Sequence, residues 1–168
     1  MSAVDSHLPI VKSLRWQDET ATQDFAIRLA QQPLVRQAFI ALHGELGAGK
    51  TTLVRHLLRA LGVSGRIKSP TYAVLEPYEL PGLPIFHFDF YRFTDAREWE
   101  EAGFRDIFAN PGLKLVEWPQ KAQAVLPSAD LDIFIGTDAQ AVRKATLRAH
   151  SAIGVALIDA TSDGGVAA

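Results

Sequence analysis

The octet Gly44-Glu45-Leu46-Gly47-Ala48-Gly49-Lys50-Thr51 constrains this chain more than any other stretch. It fits G-x-x-x-x-G-K-[ST], a phosphate-binding loop pattern that needs a strand before it and a helix after it. Both flanks comply. Gln37 to His43 is a short apolar run of the kind a buried strand shows. Leu53, Val54, Leu57, Leu58 and Leu61 recur at helical spacing, and Gly62 stands where a helix C-cap belongs.

The residue types explain the chemistry. Glycine lets the backbone take turns that a Cβ would block, so consecutive N–H groups can point inward at an anion. The helix N-terminus adds its dipole. Glu45, Leu46, Gly47, Ala48, Gly49, Lys50, Thr51 and Thr52 are the expected nucleotide-binding residues. Lys50 supplies a cation for the β/γ oxygens, and Thr51 a hydroxyl for Mg²⁺. The plainer alternative is a glycine-rich turn with a solvent-facing lysine.

Length and composition bound the rest. The 168 residues suit one domain, here 10–160, between a loose arm (1–9) and a frayed tail (161–168). A net charge of −2 provides no broad field for RNA, so any action on RNA is expected to be indirect. The chain has no cysteine, which excludes disulfides and thiolate sites and is compatible with the cytoplasm, the expected location. No apolar run is as long as a membrane span.

In chain order, Ile10–Trp16 reads as a strand. Thr20 and Gln23 form a capping-box pattern ahead of a helix that ends near Pro33. Thr71–Tyr78 reads as a strand, and Pro81-Gly82 as a turn. In Ile85–Phe93 the aromatics Phe86, Phe88 and Phe90 alternate with His87, Asp89 and Tyr91, predicting a strand with one face on the core. Thr94–Phe108 reads helical, broken at Gly103. Leu113–Trp118 is a short strand, Gln120–Leu126 a short helix, and 131–137 with 141–149 a hairpin. Ile153–Ile158 is apolar with no settled type. The fold class expected is α/β, a P-loop NTPase-like three-layer fold with a mixed, partly antiparallel sheet.

A phosphate loop needs acids for the Mg²⁺ shell and for the attacking water. Glu117 ends an apolar strand, where a Walker-B acid sits. Asp89 lies between aromatics and needs a partner or an opening. The expected catalytic residues are therefore Lys50, Asp89 and Glu117, with Thr51 on the metal and either acid able to join it there. Trp118 has a ring suited to stacking on a base, with a core tryptophan as the alternative. His43 and His87 read as structural, and no second polar constellation for a further substrate is legible.

Together these pieces resemble one family, the TsaE (YjeE) ATPases of bacterial threonylcarbamoyladenosine tRNA modification. The resemblance rests on Gly44–Thr52, Lys68-Ser69-Pro70-Thr71-Tyr72, Glu76-Pro77-Tyr78, Phe86-His87-Phe88-Asp89-Phe90-Tyr91-Arg92 and Val116-Glu117-Trp118-Pro119, in family order over roughly 12–150. It implies ATP and Mg²⁺ as cofactors, Mg²⁺ held by Thr51 and Glu117, hydrolysis assisted by Asp89, and a switch-like loop at Ser69, Pro70 and Thr71. It also implies a TsaD–TsaB-like partner complex that handles the tRNA. The chain departs from the family pattern at Val142-Arg143, where Gly-Arg is usual, so no role is carried over onto Arg143.

Two other classes fit a phosphate loop. A GTPase-like switch would carry an Asn-Lys-x-Asp signature, which this chain lacks. A small-molecule kinase would cluster arginines over the phosphates, and between Gly62 and Trp118 Arg66, Arg92, Arg97 and Arg105 are scattered. Without an evident arginine finger, basal turnover is expected to be low. Arg66, Lys68 and Arg92 are the cis candidates, and Arg66–Thr71 is the expected partner contact.

Overall fold

The computed structural model describes residues 10–162. The expected arm (1–9) and residues 163–168 of the expected tail lie outside the described residues. Strand β1 (Ile10–Trp16) leads to helix α1 (Glu19–Gln31), then β2 (Phe39–His43) and α2 (Lys50–Leu61). β3 (Leu75–Leu80) and β4 (Leu83–Asp89) form a hairpin, followed by the short helices α3 (Ala96–Glu101) and α4 (Phe104–Ala109). β5 (Leu113–Glu117), β6 (Leu131–Thr137), β7 (Arg143–Ala149) and α5 (Ala152–Ser162) complete the chain. α5 settles the apolar stretch near Ile153 as helix, and it runs two residues past the expected domain end at 160.

The seven strands make one sheet in the order β1-β7-β6-β2-β5-β4-β3. β6, β2, β5 and β4 run parallel. The β6–β7, β1–β7 and β3–β4 pairs are antiparallel. This is the mixed, three-layer α/β arrangement expected. Leu53, Val54, Leu57 and Leu58 of α2 pack with Phe25 and Leu29 of α1 and Leu157 of α5 over one face. Each such buried side chain contributes roughly 1.5–3 kcal/mol. The other face carries an aromatic cluster in which Phe88, Phe90, Trp99 and Phe104 meet stacked, tilted or edge-on at 5.1–6.1 Å. That cluster anchors the C-terminal end of β4.

Local expectations needed correction at several places. α1 is capped by Asp18, whose carboxylate accepts the Ala21 N–H at 2.9 Å, so Thr20 lies inside the helix. An Asp two residues earlier outcompetes the Thr-based box. β3 begins at Leu75, not Thr71, because 71–74 form a turn closed by the Val74 N–H on the Pro70 carbonyl, with Val74 at φ 70°. β4 stops at Asp89, because its carboxylate captures the Tyr91 N–H at 2.9 Å and starts a turn. Nor does the C-terminal end of β4 have a solvent face: His87, Phe88 and Asp89 are all buried, with β5 paired parallel on one side and β3 antiparallel on the other. The stretch after Trp118 is a 3-10 turn at Pro119–Ala122 rather than a helix over 120–126.

Candidate active site

β2 delivers the chain to the sheet's C-terminal edge, and the glycine-rich loop turns it into α2. Gly44 is required by space: a Cβ there would meet the Ile135 carbonyl oxygen at 2.6 Å. Gly49 is required by conformation and space, at φ 115° against the Arg143 side chain. The turn leaves Lys50 and Thr51 in the first turn of α2, facing a cavity of ≈ 200 Å³. Leu46, Gly47, Gly49 and Thr52 line it as well. Glu45 lines the adjoining cavity instead, and Ala48 packs against the core.

Lys50 is buried, and its ammonium donates to the Gly44 carbonyl and, at 3.0 Å, to that of Glu45. Burial pushes its pKa down, while Glu117, Asp89 and Glu45 pull it back up. Its cation is thus held by carbonyls and by a ring of acids.

β5 pairs parallel with β2 and with β4, and the register sets Glu117 beside both Leu42 and Asp89. Thr51 Oγ1 donates to Glu117 Oε1 at 2.9 Å. The other carboxylate oxygen, Oε2, lies 2.6 Å from His87 Nε2. Asp89 Oδ2 accepts from Thr71 Oγ1 at 3.4 Å, and Thr71 Oγ1 lies 2.8 Å from Ser69 Oγ. Burial raises the Asp89 pKa, the Tyr91 N–H lowers it, and the Glu117 charge raises it again. The net rise makes Asp89 a better proton acceptor than an exposed aspartate.

Thr51 and Glu117 present oxygen donors side by side, the ligand type that suits a hard cation such as Mg²⁺. Among the described residues no three His, Cys, Asp or Glu side chains form a metal cage. A cation held here would need further oxygen ligands from outside these side chains.

Trp118 follows Glu117 with φ 56° and ψ 49°, a conformation uncommon outside glycine. That twist brings its ring to 4.3 Å from Lys50 Nζ and 5.0 Å from the Tyr91 ring. It lines both the loop cavity and a neighbouring one of ≈ 420 Å³ that also contains Phe134, Thr137 and Lys144.

The fold thus gathers Lys50, Thr51, Thr71, Asp89, Glu117 and Trp118 around one cavity. Ser69 and Pro70 do not line it: the Ser69 hydroxyl pairs with that of Thr71, and Pro70 is buried. A model of the family described as "Threonylcarbamoyl adenosine biosynthesis protein TsaE" matches residues 16–145. The chain belongs to the TsaE family. A Haemophilus influenzae relative described as tRNA threonylcarbamoyladenosine biosynthesis protein TsaE is 40% identical, over 83% of this chain and 87% of its own. A Bacillus subtilis relative of the same description is 32% identical over 74% of this chain and 78% of its own. The crystal structure of Bacillus subtilis YdiB superimposes with a TM-score of 0.75 at 26% identity, covering 94% of this chain and 97% of that one. A role in tRNA threonylcarbamoyladenosine biosynthesis comes with TsaE membership. Among the described residues no helix is long and apolar enough to cross a membrane.

Two features escape a reading of the sequence. His87 reads as a structural strand histidine but holds Glu117 from behind. A polar constellation absent from the sequence reading also exists. His43 Nε2 lies 2.8 Å from Asp132 Oδ1, and His150 Nε2 lies 2.6 Å from Asp132 Oδ2. They line a cavity of ≈ 380 Å³ with Gln120, Gln123 and Ser128. The three residues lie on β2, on β6 and just past β7, so no local spacing reveals the cluster.

Proposed function

We propose that this TsaE-family chain binds ATP with Mg²⁺ and hydrolyses it in the cytoplasm, in support of a TsaD–TsaB-like complex that carries out the tRNA modification. The observation that carries this reading is the convergence of Lys50, Thr51, Asp89 and Glu117 at the N-terminal end of α2, where the dipole and loop N–H groups favour phosphate. Lys50 neutralises charge on the β/γ oxygens. Thr51 and Glu117 hold the cation, and His87 keeps Glu117 turned toward Thr51. Asp89, made more basic by burial, orients water and accepts its proton. Bound Mg²⁺ offsets the charge that develops on the phosphoryl oxygens. Thr71, at 3.4 Å from Asp89, ties the Ser69–Thr71 loop to this chemistry, as a switch threonine does.

The test is ATP and GTP binding by calorimetry and phosphate release, alone and with a TsaD–TsaB-like complex. ATP is preferred, basal turnover is low and the complex raises it. Lys50→Ala abolishes hydrolysis, whereas Asp89→Asn spares ATP binding and slows hydrolysis about 10²-fold or more. Full ATP affinity and turnover in Lys50→Ala would remove the phosphate-loop reading. Vigorous activity alone, with no response to the complex, would remove the partnership.

A further inference from the structure

The two sides of the sheet are covered unequally. Helices α1, α2 and α5 pack along one side. On the other side the aromatic cluster draws on β2, β4 and β5 through Phe39, Phe88 and Val116, and among the described residues on none of β6, β7 or β1. Ile133, Ile135, Ala145 and Leu147 point into the helical core, so strand alternation turns Phe134, Lys144, Thr146 and Arg148 the other way. Val11 of β1, the register partner of Arg148 on that side, is 51% exposed.

This open side is cationic and flat. Lys144 and Arg148 are exposed, and among the described residues neither makes an ion pair or a side-chain hydrogen bond. The Arg148 guanidinium sits 5.7 Å from the centre of the Phe134 ring, and the His43 imidazole stacks on that ring at 4.3 Å. The acids of this side are occupied: Asp132 by His43 and His150, Asp138 by Arg15 at 2.9 Å. Beside His43 and His150 opens the cavity of ≈ 380 Å³, edged by the amides of Gln120 and Gln123, which can both donate and accept as a base edge requires. Two unpaired cations on such a surface attract an anion. A guanidinium held against a ring is already ordered, and its plane can receive an unpaired base. An acidic polypeptide would answer the charges but makes no use of the planar stack or the amide-edged cavity.

We propose that the open side of β6 and β7 is a docking surface for an unpaired segment of RNA. Lys144 and Arg148 hold its phosphates, the stack of Arg148, Phe134 and His43 receives one base, and the cavity beside His150 takes a neighbouring one. RNA is the polyanion that a role in tRNA threonylcarbamoyladenosine biosynthesis puts within reach of this chain. The charge of −2 over the whole chain gives no broad footprint but leaves room for a local one. None of these residues lines the phosphate-loop cavity, so the surface stands apart from the ATP reading.

The experiment follows the fluorescence anisotropy of a labelled single-stranded RNA of about ten nucleotides as the full chain is added, at salt from about 50 to 200 mM. A duplex RNA and a polyglutamate peptide of the same charge are titrated beside it. The variants are Arg148→Ala, Lys144→Ala, the two combined, and Arg148→Lys. Both side chains are exposed, so melting of each variant should stay within about 4 °C of the wild type. The single strand is expected to bind more tightly than the duplex or the peptide. Each alanine should weaken it about ten-fold and reduce the slope of log affinity against log salt by about 0.7, one phosphate's share. Arg148→Lys should keep the slope and lose part of the affinity, since an ammonium offers no plane to a base. Unchanged RNA affinity in the combined variant, or no RNA binding by the wild type at about 50 mM salt, would overturn the inference. Polyglutamate bound as tightly as the single strand would also overturn it and assign the surface to an acidic protein.

Discussion

His87 Nε2 lies 2.6 Å from Glu117 Oε2, and neither side chain is exposed by more than 3%. Among the described residues His87 Nδ1 is buried with no hydrogen-bond partner, so Nε2 makes the only polar contact of this ring. This pair fixes one oxygen of Glu117 and leaves the other for Thr51. His87→Ala is expected to destabilise the protein by about 3 kcal/mol, because a buried carboxylate loses its partner. It should also weaken nucleotide binding in Mg²⁺ more than binding without it. His87→Gln, which can still donate, should recover part of both. Urea unfolding and a Mg²⁺ titration of nucleotide binding check this. Equal losses with and without Mg²⁺ would reduce His87 to a packing residue.

Trp118 offers an optical readout. Its ring sits 4.3 Å from Lys50 Nζ at the cavity wall, whereas Trp16 is packed against Phe25 and Trp99 lies in the aromatic cluster. ATP or ADP changes the surroundings of Trp118 alone if its ring meets the nucleotide. The emission change on adding nucleotide should vanish in Trp118→Phe and persist in Trp99→Phe. A response surviving Trp118→Phe would place the base elsewhere.

The His43–Asp132–His150 cluster predicts an acid limit to stability. Burial raises the Asp132 pKa, but hydrogen bonds and charge from both histidines outweigh it, and the carboxyl is held below its ordinary value. A carboxyl with a lowered folded pKa contributes stability above its unfolded pKa of about 3.9 and loses it as pH falls through the folded value. Denaturant unfolding between pH 6 and about 2 should therefore show a loss of stability that is smaller in Asp132→Asn. At pH 6 that variant should be less stable by about 1–2 kcal/mol. A pH profile identical to the wild type's would assign the acid limit to another carboxylate.

The site's elements were legible where they are local. The loop 44–51, the strand before it and the helix after it occupy one continuous stretch, and glycine spacing with apolar periodicity is decided within a few residues. Glu117 was legible because it ends a short apolar run. Asp89 was legible as an acid among aromatics, although β4 ends there and is buried on both faces. Which strands cover β4 depends on sheet order, and that is a long-range property. The Thr71 strand failed because a turn at Pro70–Val74 won over alternation.

By itself the sequence determined the phosphate loop, the α/β class, the two acids and the TsaE resemblance, since each rests on residue types within short range. Only the tertiary structure decided who meets whom. Parallel pairing of β2, β5 and β4 brings Thr51, His87, Asp89 and Glu117 together. The β6–β7 pairing carries Arg143 to Gly49, and the strand order joins His43 and His150 through Asp132. Such contacts come from burying two hydrophobic faces at once, a condition on the whole chain that no local spacing encodes.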